Sequence, residues 1–206
     1  HLVRQPDLAA TLERIATLAL AGFYFGETAE KLVMGVKSAG GIWELGDLAT
    51  YRVKERLPIV ANYHDIKIVS APPPSSGGIV LVEALNILEH FDLGRMGSED
   101  RLHTTIEAMR RAYRDRAEFL GDPDFYDVPT ERLIAKEYAD TLAESIDLEQ
   151  ATASTTLPGI AGDPEGRNTT HYSILDAEGN RVAATLSINY PFGTAFVPPG
   201  TGVLLN

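Results

Sequence analysis

The sequence predicts an α+β fold, because its pattern changes from helical to strand-like at one point of the chain. Through the first 147 residues, most apolar side chains recur every three or four positions, the spacing of one face of an α-helix. After Thr169, two β-type runs cover residues 170–176 and 181–189. Between the two parts, residues 148–168 are rich in Ala, Thr, Pro and Gly and show no periodicity, which predicts a flexible surface loop.

The composition is that of a globular protein, and it excludes several classes of function. Hydrophobic residues make up 44% of the 206 residues, enough for a sizeable core. The net charge of −11 disfavours nucleic acid and anionic membranes as partners, since both require a basic surface. No apolar run is long enough for a membrane span, and no signal-peptide pattern is present. The lack of cysteine excludes disulfides and thiolate chemistry.

The first helices are predicted from their start and stop signals. A helix begins at Pro6 and continues to the glycines at 22 and 26, and a second helix covers residues 27–38. Trp43 follows in a short connection and is expected to anchor the core, since a lone tryptophan usually serves packing. Asp47 is expected to cap a short helical turn.

A hairpin and a proline-rich turn follow. Strands are predicted at residues 57–63 and 66–70, with His64 in the turn between them. The next segment, Pro72–Gly78, has two interpretations. It is either a rigid turn from strand to helix or an anion-binding helix N-terminus that lines a site. In both cases Ser75 or Ser76 caps a helix over residues 79–90.

The longest predicted helix covers residues 99–120, and shorter helices are predicted at 130–134 and 136–145. The apolar residues of the long helix recur at helical spacing and predict one buried face. They are Leu102, Ile106, Met109, Tyr113, Ala117 and Leu120. The same helix carries four arginines, which we expect on a solvated, salt-bridged face. They are Arg110, Arg111, Arg114 and Arg116.

Thr169 is the candidate for chemistry at the change of pattern. If the bond between Asn168 and Thr169 is cut, Thr169 carries a hydroxyl nucleophile and an α-amine base on one residue. The reference pKa of an α-amine, about 7.7–8.0, suits reversible proton transfer. The alternative is an ordinary polar loop that enters a strand.

The turn between the two β-runs determines what faces Thr169. Residues 176–180 suit a three-residue hairpin loop with Gly179 in the left-handed region. This turn places Thr169 opposite Ser187, with Asn189 on the same face. A four-residue turn would place Ile188 there instead. The apolar residues of both faces predict a sheet that is buried on both sides.

Several motifs occur in the order known from one enzyme family. They are Pro72–Gly78 (PPPSSGG), residues 112–116 (AYRDR), 120–125 (LGDPDF), 169–173 (TTHYS), 187–189 (SIN) and 192–194 (FGT). Together they resemble γ-glutamyltranspeptidase, also called glutathione hydrolase, an N-terminal-nucleophile (Ntn) hydrolase. The resemblance covers nearly the whole chain.

The resemblance implies an αββα sandwich, made as one precursor that cuts itself between Asn168 and Thr169. Residues 1–168 would then be the C-terminal part of a large subunit, mostly helical with one hairpin. Residues 169–206 would be the N-terminal strands of a small subunit. Both ends of the sequence are expected to be cuts through a larger protein.

The resemblance also assigns roles and partners. Thr169 would be the nucleophile, Ser187 would support it through its hydroxyl, and Asn189 would help bind the glutamyl α-substituents. The substrates would be glutathione or related γ-glutamyl amides, with water, an amino acid or a peptide as acceptor. No cofactor is expected, and the five histidines show no metal-ligand spacing. The family resemblance implies a periplasmic or extracellular location.

Three alternatives remain open. The chain could come from a β-lactam (cephalosporin) acylase or from a poly-γ-glutamate transpeptidase of the same superfamily. It could also be an unprocessed, non-enzymatic relative. We expect residues 1–206 alone to be inactive, because the family's substrate-binding arginine lies upstream of residue 1. The family's oxyanion glycines lie beyond Asn206, and the loss of such donors costs about 10²–10³ in rate.

Overall fold

The computed structural model describes residues 2–157, 169–188 and 190–206. These residues form eight helices and two antiparallel hairpins, which confirms the α+β class. The helices are α1 Pro6–Leu18, α2 Ala21–Tyr24, α3 Gly26–Ser38, α4 Leu45–Thr50, α5 Gly77–Leu88, α6 Ser98–Phe119, α7 Thr130–Leu133 and α8 Lys136–Glu144. The strands are β1 Ile59–Tyr63, β2 Ile66–Ser70, β3 Thr169–Leu175 and β4 Arg181–Ser187.

The described residues divide into two compact units. One unit contains residues 2–53 together with 169–188 and 190–206, and the other contains residues 54–157. The first unit therefore combines segments from both sides of the predicted cleavage point. This division does not contradict the predicted subunits. A cleavage site divides the chain by sequence position, whereas the two units are defined by contacts in the folded chain.

In the first unit, the C-terminal segment packs against helices α1 and α3. The hydroxyl of Thr11 donates a hydrogen bond of 2.7 Å to the carbonyl oxygen of Thr201, and both residues are fully buried. A Cβ atom added at Gly35 would lie 2.7 Å from Cβ of Pro198, so this glycine allows close approach of the segment. These contacts join the two ends of the sequence.

Two sequence predictions in the first unit need correction. The first predicted helix is broken, because Ala19 has a φ of 50° and separates α1 from α2. Trp43 is exposed rather than a core anchor, with 36% of its surface accessible. Asp47 does cap α4, since its carboxylate accepts a 2.8 Å hydrogen bond from the backbone N–H of Glu44.

In the second unit, α5 is the central helix and is packed by the β1–β2 hairpin, α6 and α8. Ile79 and Val82 join Ile59 of β1 and Leu133 of α7 in one buried cluster. A second cluster joins the end of α5 to α6 and α8, with Ile87, Leu88, Ala108, Ala139, Leu142 and Ala143. The largely apolar sequence of α5 agrees with the burial of most of its residues, while Leu81 is 46% exposed.

Helix α6 buries the face opposite to the predicted one. The apolar residues Leu102, Ile106, Met109 and Tyr113 are 46–61% exposed. The buried residues of α6 are Thr104, Glu107, Ala108, Arg111, Ala112 and Asp115. The small side chains of Ala108 and Ala112 permit close helix packing. Among the buried charges, Glu107 pairs with Arg111. The expectation of a solvated arginine face was therefore wrong for Arg111, which is 1% exposed.

A second buried polar group lies between α5, α6 and α8. The Asp115 carboxylate accepts hydrogen bonds from Arg114 at 2.5 and 2.8 Å and from the Tyr138 hydroxyl at 2.5 Å. Glu83 is fully buried, and neither of its carboxyl oxygens has a hydrogen-bond partner among the described residues. Burial, together with the charge of Asp115, raises the pKa of Glu83 to about 9. Glu83 is therefore protonated at neutral pH.

The raised pKa of Glu83 predicts that the stability of the fold depends on pH. Between pH 4.5 and about 9, Glu83 keeps its proton in the folded state and loses it in the unfolded state. The unfolded state then binds fewer protons, so the free energy of unfolding falls as pH rises, by up to about 1.4 kcal/mol per pH unit from this group.

The test is urea unfolding of the 206-residue chain at several pH values between 5 and 9. Glu83→Gln should flatten this slope, because glutamine is neutral throughout. The exposed Glu118 lies on α6, and Glu118→Gln should leave the slope unchanged. Equal slopes in the unaltered chain and the Glu83→Gln variant would contradict the account.

Candidate active site

The β3–β4 hairpin has the predicted register. Thr169 pairs with Ser187, and the pairing continues in steps to Leu175 and Arg181. The turn is the predicted three-residue loop, since the N–H of Asp176 donates to the carbonyl oxygen of Asn180 at 3.2 Å. Gly179 has a φ of 87°, which only glycine adopts readily.

The Asp176 side chain reinforces this turn. Its carboxylate accepts hydrogen bonds from the backbone N–H of Asn180 at 2.8 Å and from the Asn180 amide at 2.7 Å. These hydrogen bonds hold the pKa of Asp176 below its usual value. The turn that sets the register is thus stabilised by its own two end residues.

The structure places two of the four predicted site residues. Thr169 is the first residue of β3, and its backbone lies directly opposite Ser187 at the end of β4. Asn168 and Asn189 lie outside the described residues, so their predicted roles stay predictions.

The same face of the hairpin carries polar residues that the sequence analysis did not select. Alternate positions share a face, so His171 and Ser173 follow Thr169 on β3, and Thr185 precedes Ser187 on β4. Nδ1 of His171 lies 2.9 Å from Oγ1 of Thr185, and its Nε2 lies 3.4 Å from Oγ of Ser173. Its spacing of two residues from Thr169 is the signal in the sequence by which His171 could have been selected.

The hairpin is exposed, contrary to the prediction of burial on both sides. Six of the seven residues of β4 are exposed, and Leu175 and Leu186 are 69% and 56% accessible. Its sheet has two strands only among the described residues. Two strands alone cannot bury both of their faces, so the apolar pattern did not by itself determine burial in this chain.

The loop before the cleavage point is anchored to α6, chiefly at Thr152. Residues 148–157 form no helix or strand, as predicted, and residues 158–168 lie outside the described part. The Thr152 hydroxyl donates a 2.5 Å hydrogen bond to the buried carboxylate of Glu107. Arg111 donates to the same carboxylate at 2.7 Å and to the carbonyl oxygen of Ser145 at 2.7 Å.

The Glu107 carboxylate is the centre of this anchor. Burial acts to raise its pKa, but the hydrogen bonds from Thr152, Arg111 and Arg110 outweigh burial and hold the pKa at about 2. Glu107 is therefore charged at neutral pH and pairs with two arginines. A buried ion pair of this kind is strongly destabilised when one partner is removed, by about 3–5 kcal/mol.

The Pro72–Gly78 segment is a compact turn between β2 and α5. A Cβ atom added at Gly78 would lie 2.4 Å from the carbonyl oxygen of Ala71, so the close approach requires glycine. Ser76 precedes α5 but makes no capping hydrogen bond there. Its hydroxyl instead accepts a 2.9 Å hydrogen bond from Nε of Arg116. These contacts favour the interpretation as a rigid turn.

The comparisons with known proteins agree with the motifs. The Gamma-glutamyltranspeptidase family model matches residues 1–206. A curated relative, the glutathione hydrolase proenzyme of Pseudomonas sp. (strain A14), is 46% identical over 205 residues, with 98% of this chain and 36% of the relative covered. The chain thus spans about a third of that relative's length.

Two solved structures resemble the chain. The γ-glutamyltranspeptidase of Helicobacter pylori is 42% identical with a TM-score of 0.73, and the match covers 82% of this chain and 49% of that chain. The cephalosporin acylase of Bacillus halodurans is 32% identical with a TM-score of 0.84, and the match covers 98% and 36%.

The fold and the likenesses define an α+β protein of the Ntn-hydrolase class. Within this class, the chain belongs to the γ-glutamyltranspeptidase family. The resemblance inferred from the motifs is thereby confirmed. Among the residues that the structure describes, no helix is long and apolar enough to cross a membrane.

Proposed function

We propose that this chain is part of a proenzyme that cuts itself between Asn168 and Thr169 and then transfers or hydrolyses γ-glutamyl groups. The donor is glutathione or a related γ-glutamyl amide, and the acceptor is water, an amino acid or a peptide. The observation that supports this proposal most is the register that sets Thr169 opposite Ser187 at the head of β3. A periplasmic or extracellular location, inferred from the family, remains a prediction.

The chemistry follows from these residue types. In the cut, the Thr169 hydroxyl attacks the carbonyl carbon of Asn168, the C–N bond breaks, and an ester with a free Thr169 amine forms. Water then hydrolyses the ester to the Asn168 carboxylate and the free hydroxyl. In turnover, the same hydroxyl attacks the γ-glutamyl carbonyl while the α-amine accepts its proton and returns it to the leaving amine.

The packing of the first unit supports a complex of two pieces after the cut. Thr11 lies before the cleavage point and Thr201 lies after it. The Thr11 hydroxyl donates a buried hydrogen bond to the carbonyl oxygen of Thr201. Pro198 packs against Gly35 of α3 in the same way. Since these contacts do not depend on the Asn168–Thr169 bond, the two pieces stay associated as large- and small-subunit segments.

A second candidate function is the hydrolysis of a cephalosporin side-chain amide. The likeness to the Bacillus halodurans cephalosporin acylase, with its TM-score of 0.84, favours it. Both activities use the same acyl transfer to Thr169 and differ in the acyl group. The two activities are distinguished by comparing how fast the full-length protein hydrolyses γ-glutamyl-p-nitroanilide and a glutaryl amide. We expect the γ-glutamyl substrate to be preferred.

The cut itself is the first prediction of this proposal. Full-length protein should yield two fragments whose masses and N-terminal sequence locate the cut between Asn168 and Thr169. Thr169→Ala should abolish the cut, because alanine has no hydroxyl. Thr170→Ala, at the neighbouring position on the opposite face of β3, should leave it intact. A Thr169→Ala protein that is still cut at this bond would overturn the proposal.

The association of the two pieces is the second prediction. Thr11→Val keeps the shape of the side chain but leaves the Thr201 carbonyl oxygen unpaired, a cost of about 1–3 kcal/mol. After the cut, the variant's pieces should separate at a lower urea concentration in size-exclusion chromatography. Thr17→Val removes an exposed hydroxyl from the same helix and serves as the control. Equal urea concentrations for all three proteins would argue against this contact.

A further inference from the structure

The proposed cut needs a proton acceptor that Thr169 cannot supply. Before the cut, the nitrogen of Thr169 is part of a peptide bond, and an amide nitrogen is not a base. The α-amine that serves turnover exists only after the cut. The hydroxyl proton of the first attack must therefore go to another group, as general base catalysis requires.

The face of the hairpin that carries Thr169 offers one suitable group. The face has eight positions, four on each strand. They are Thr169, His171, Ser173 and Leu175 on β3 and Arg181, Ala183, Thr185 and Ser187 on β4. Only His171 and Arg181 are ionisable among them. Arginine stays protonated in proteins and cannot accept a proton. Arg181 also lies at the far end of the face, opposite Leu175. His171 remains.

One of the two neutral forms of the His171 ring can accept a proton from the side of Thr185. If the Thr185 hydroxyl donates to Nδ1 across their 2.9 Å contact, Nδ1 carries the lone pair and Nε2 carries the hydrogen. That hydrogen then faces Ser173, whose Oγ lies 3.4 Å away. In this form, a proton passed along the Thr185 hydroxyl arrives at Nδ1.

We propose that His171 accepts the proton of the cleavage step through the hydroxyl groups of Ser187 and Thr185. This inference rests on the proposed function. Ser187 lies opposite Thr169, Thr185 lies opposite His171, and the two hydroxyl residues are neighbours on one face of β4. Residues two apart on a strand have Cα atoms about 6.6 Å apart, and bridging water joins the two hydroxyl groups across this gap. The exposed face is open to such a water.

The step balances as follows. The Thr169 hydroxyl proton passes to Ser187, and a proton moves from Ser187 through the water and Thr185 to Nδ1 of His171. The Thr169 oxygen forms its bond to the Asn168 carbonyl carbon. When the C–N bond breaks, the imidazolium returns one proton by the same route to the leaving nitrogen of Thr169. The products are the ester and a neutral amine, and His171 ends neutral.

The proposal assigns different bases to the self-cleavage and to the turnover of substrate. After the cut, the Thr169 amine is the nearer base and replaces His171. A change at His171 should therefore slow the cut and spare turnover. A residue that only stabilised the hairpin would affect both.

The experiment measures the rate of fragment formation by full-length protein on denaturing gels. His171→Asn keeps a polar atom near the position of Nδ1 but cannot hold a proton, and His171→Leu removes both. Both variants should cut about 10²–10⁴-fold more slowly. Thr185→Val, which lacks the hydroxyl, should also be slow, whereas Thr185→Ser should restore the rate. His64→Asn, in the exposed β1–β2 turn, is the matched control and should cut normally.

Turnover is then measured per mole of protein that has been cut. We expect His171→Asn to hydrolyse γ-glutamyl-p-nitroanilide within a few-fold of the unaltered protein. A normal cutting rate in His171→Asn, or an equal loss of cutting and turnover, would overturn the role of His171. Failure of the unaltered protein to cut would instead overturn the proposed function, so the two failures are distinguishable.

Discussion

The register of the β3–β4 hairpin is the constraint on which the candidate site depends. It is set seven to eleven residues after the nucleophile position, at the Asp176–Asn180 turn, where Gly179 adopts a positive φ and the Asp176 carboxylate holds Asn180. A shift of one residue would bring Ile188 opposite Thr169 and turn alternate side chains to the other face. The turn therefore decides whether a hydroxyl or an aliphatic side chain faces the nucleophile.

The second unit holds the beginning of the loop that follows α8 by hydrogen bonds. The buried Glu107 carboxylate joins α6, the end of α8 and the loop at Thr152 through charged hydrogen bonds. The polar pair is more specific than an apolar contact of the same size, because Arg111 and Thr152 must both satisfy one carboxylate.

Local signals in the sequence predicted the parts of the fold that local chemistry controls. The turn at Gly179, the helix start at Pro6 and the hairpin turn at His64 are examples, since each depends on residues adjacent in the chain. Helix α6 shows where this approach failed. Its hydrophobic periodicity predicted one buried face, but Ala108 and Ala112 allow closer packing, and Arg111 finds its partners on elements distant in sequence. Partners of that kind cannot be identified from periodicity. The pairing of His171 with Thr185 differs, because it follows from the hairpin register that the sequence predicted.

The most direct test of the central claim is a disulfide between the positions of Thr169 and Ser187. The chain has no cysteine, so Thr169→Cys combined with Ser187→Cys introduces one defined pair. Directly opposed residues of an antiparallel pair lie within the Cα separation of about 4.4–6.8 Å that a disulfide requires. The account predicts that mild oxidation links this pair and does not link Thr169→Cys with Ile188→Cys. Linkage of the 169–188 pair in preference to the 169–187 pair would contradict it.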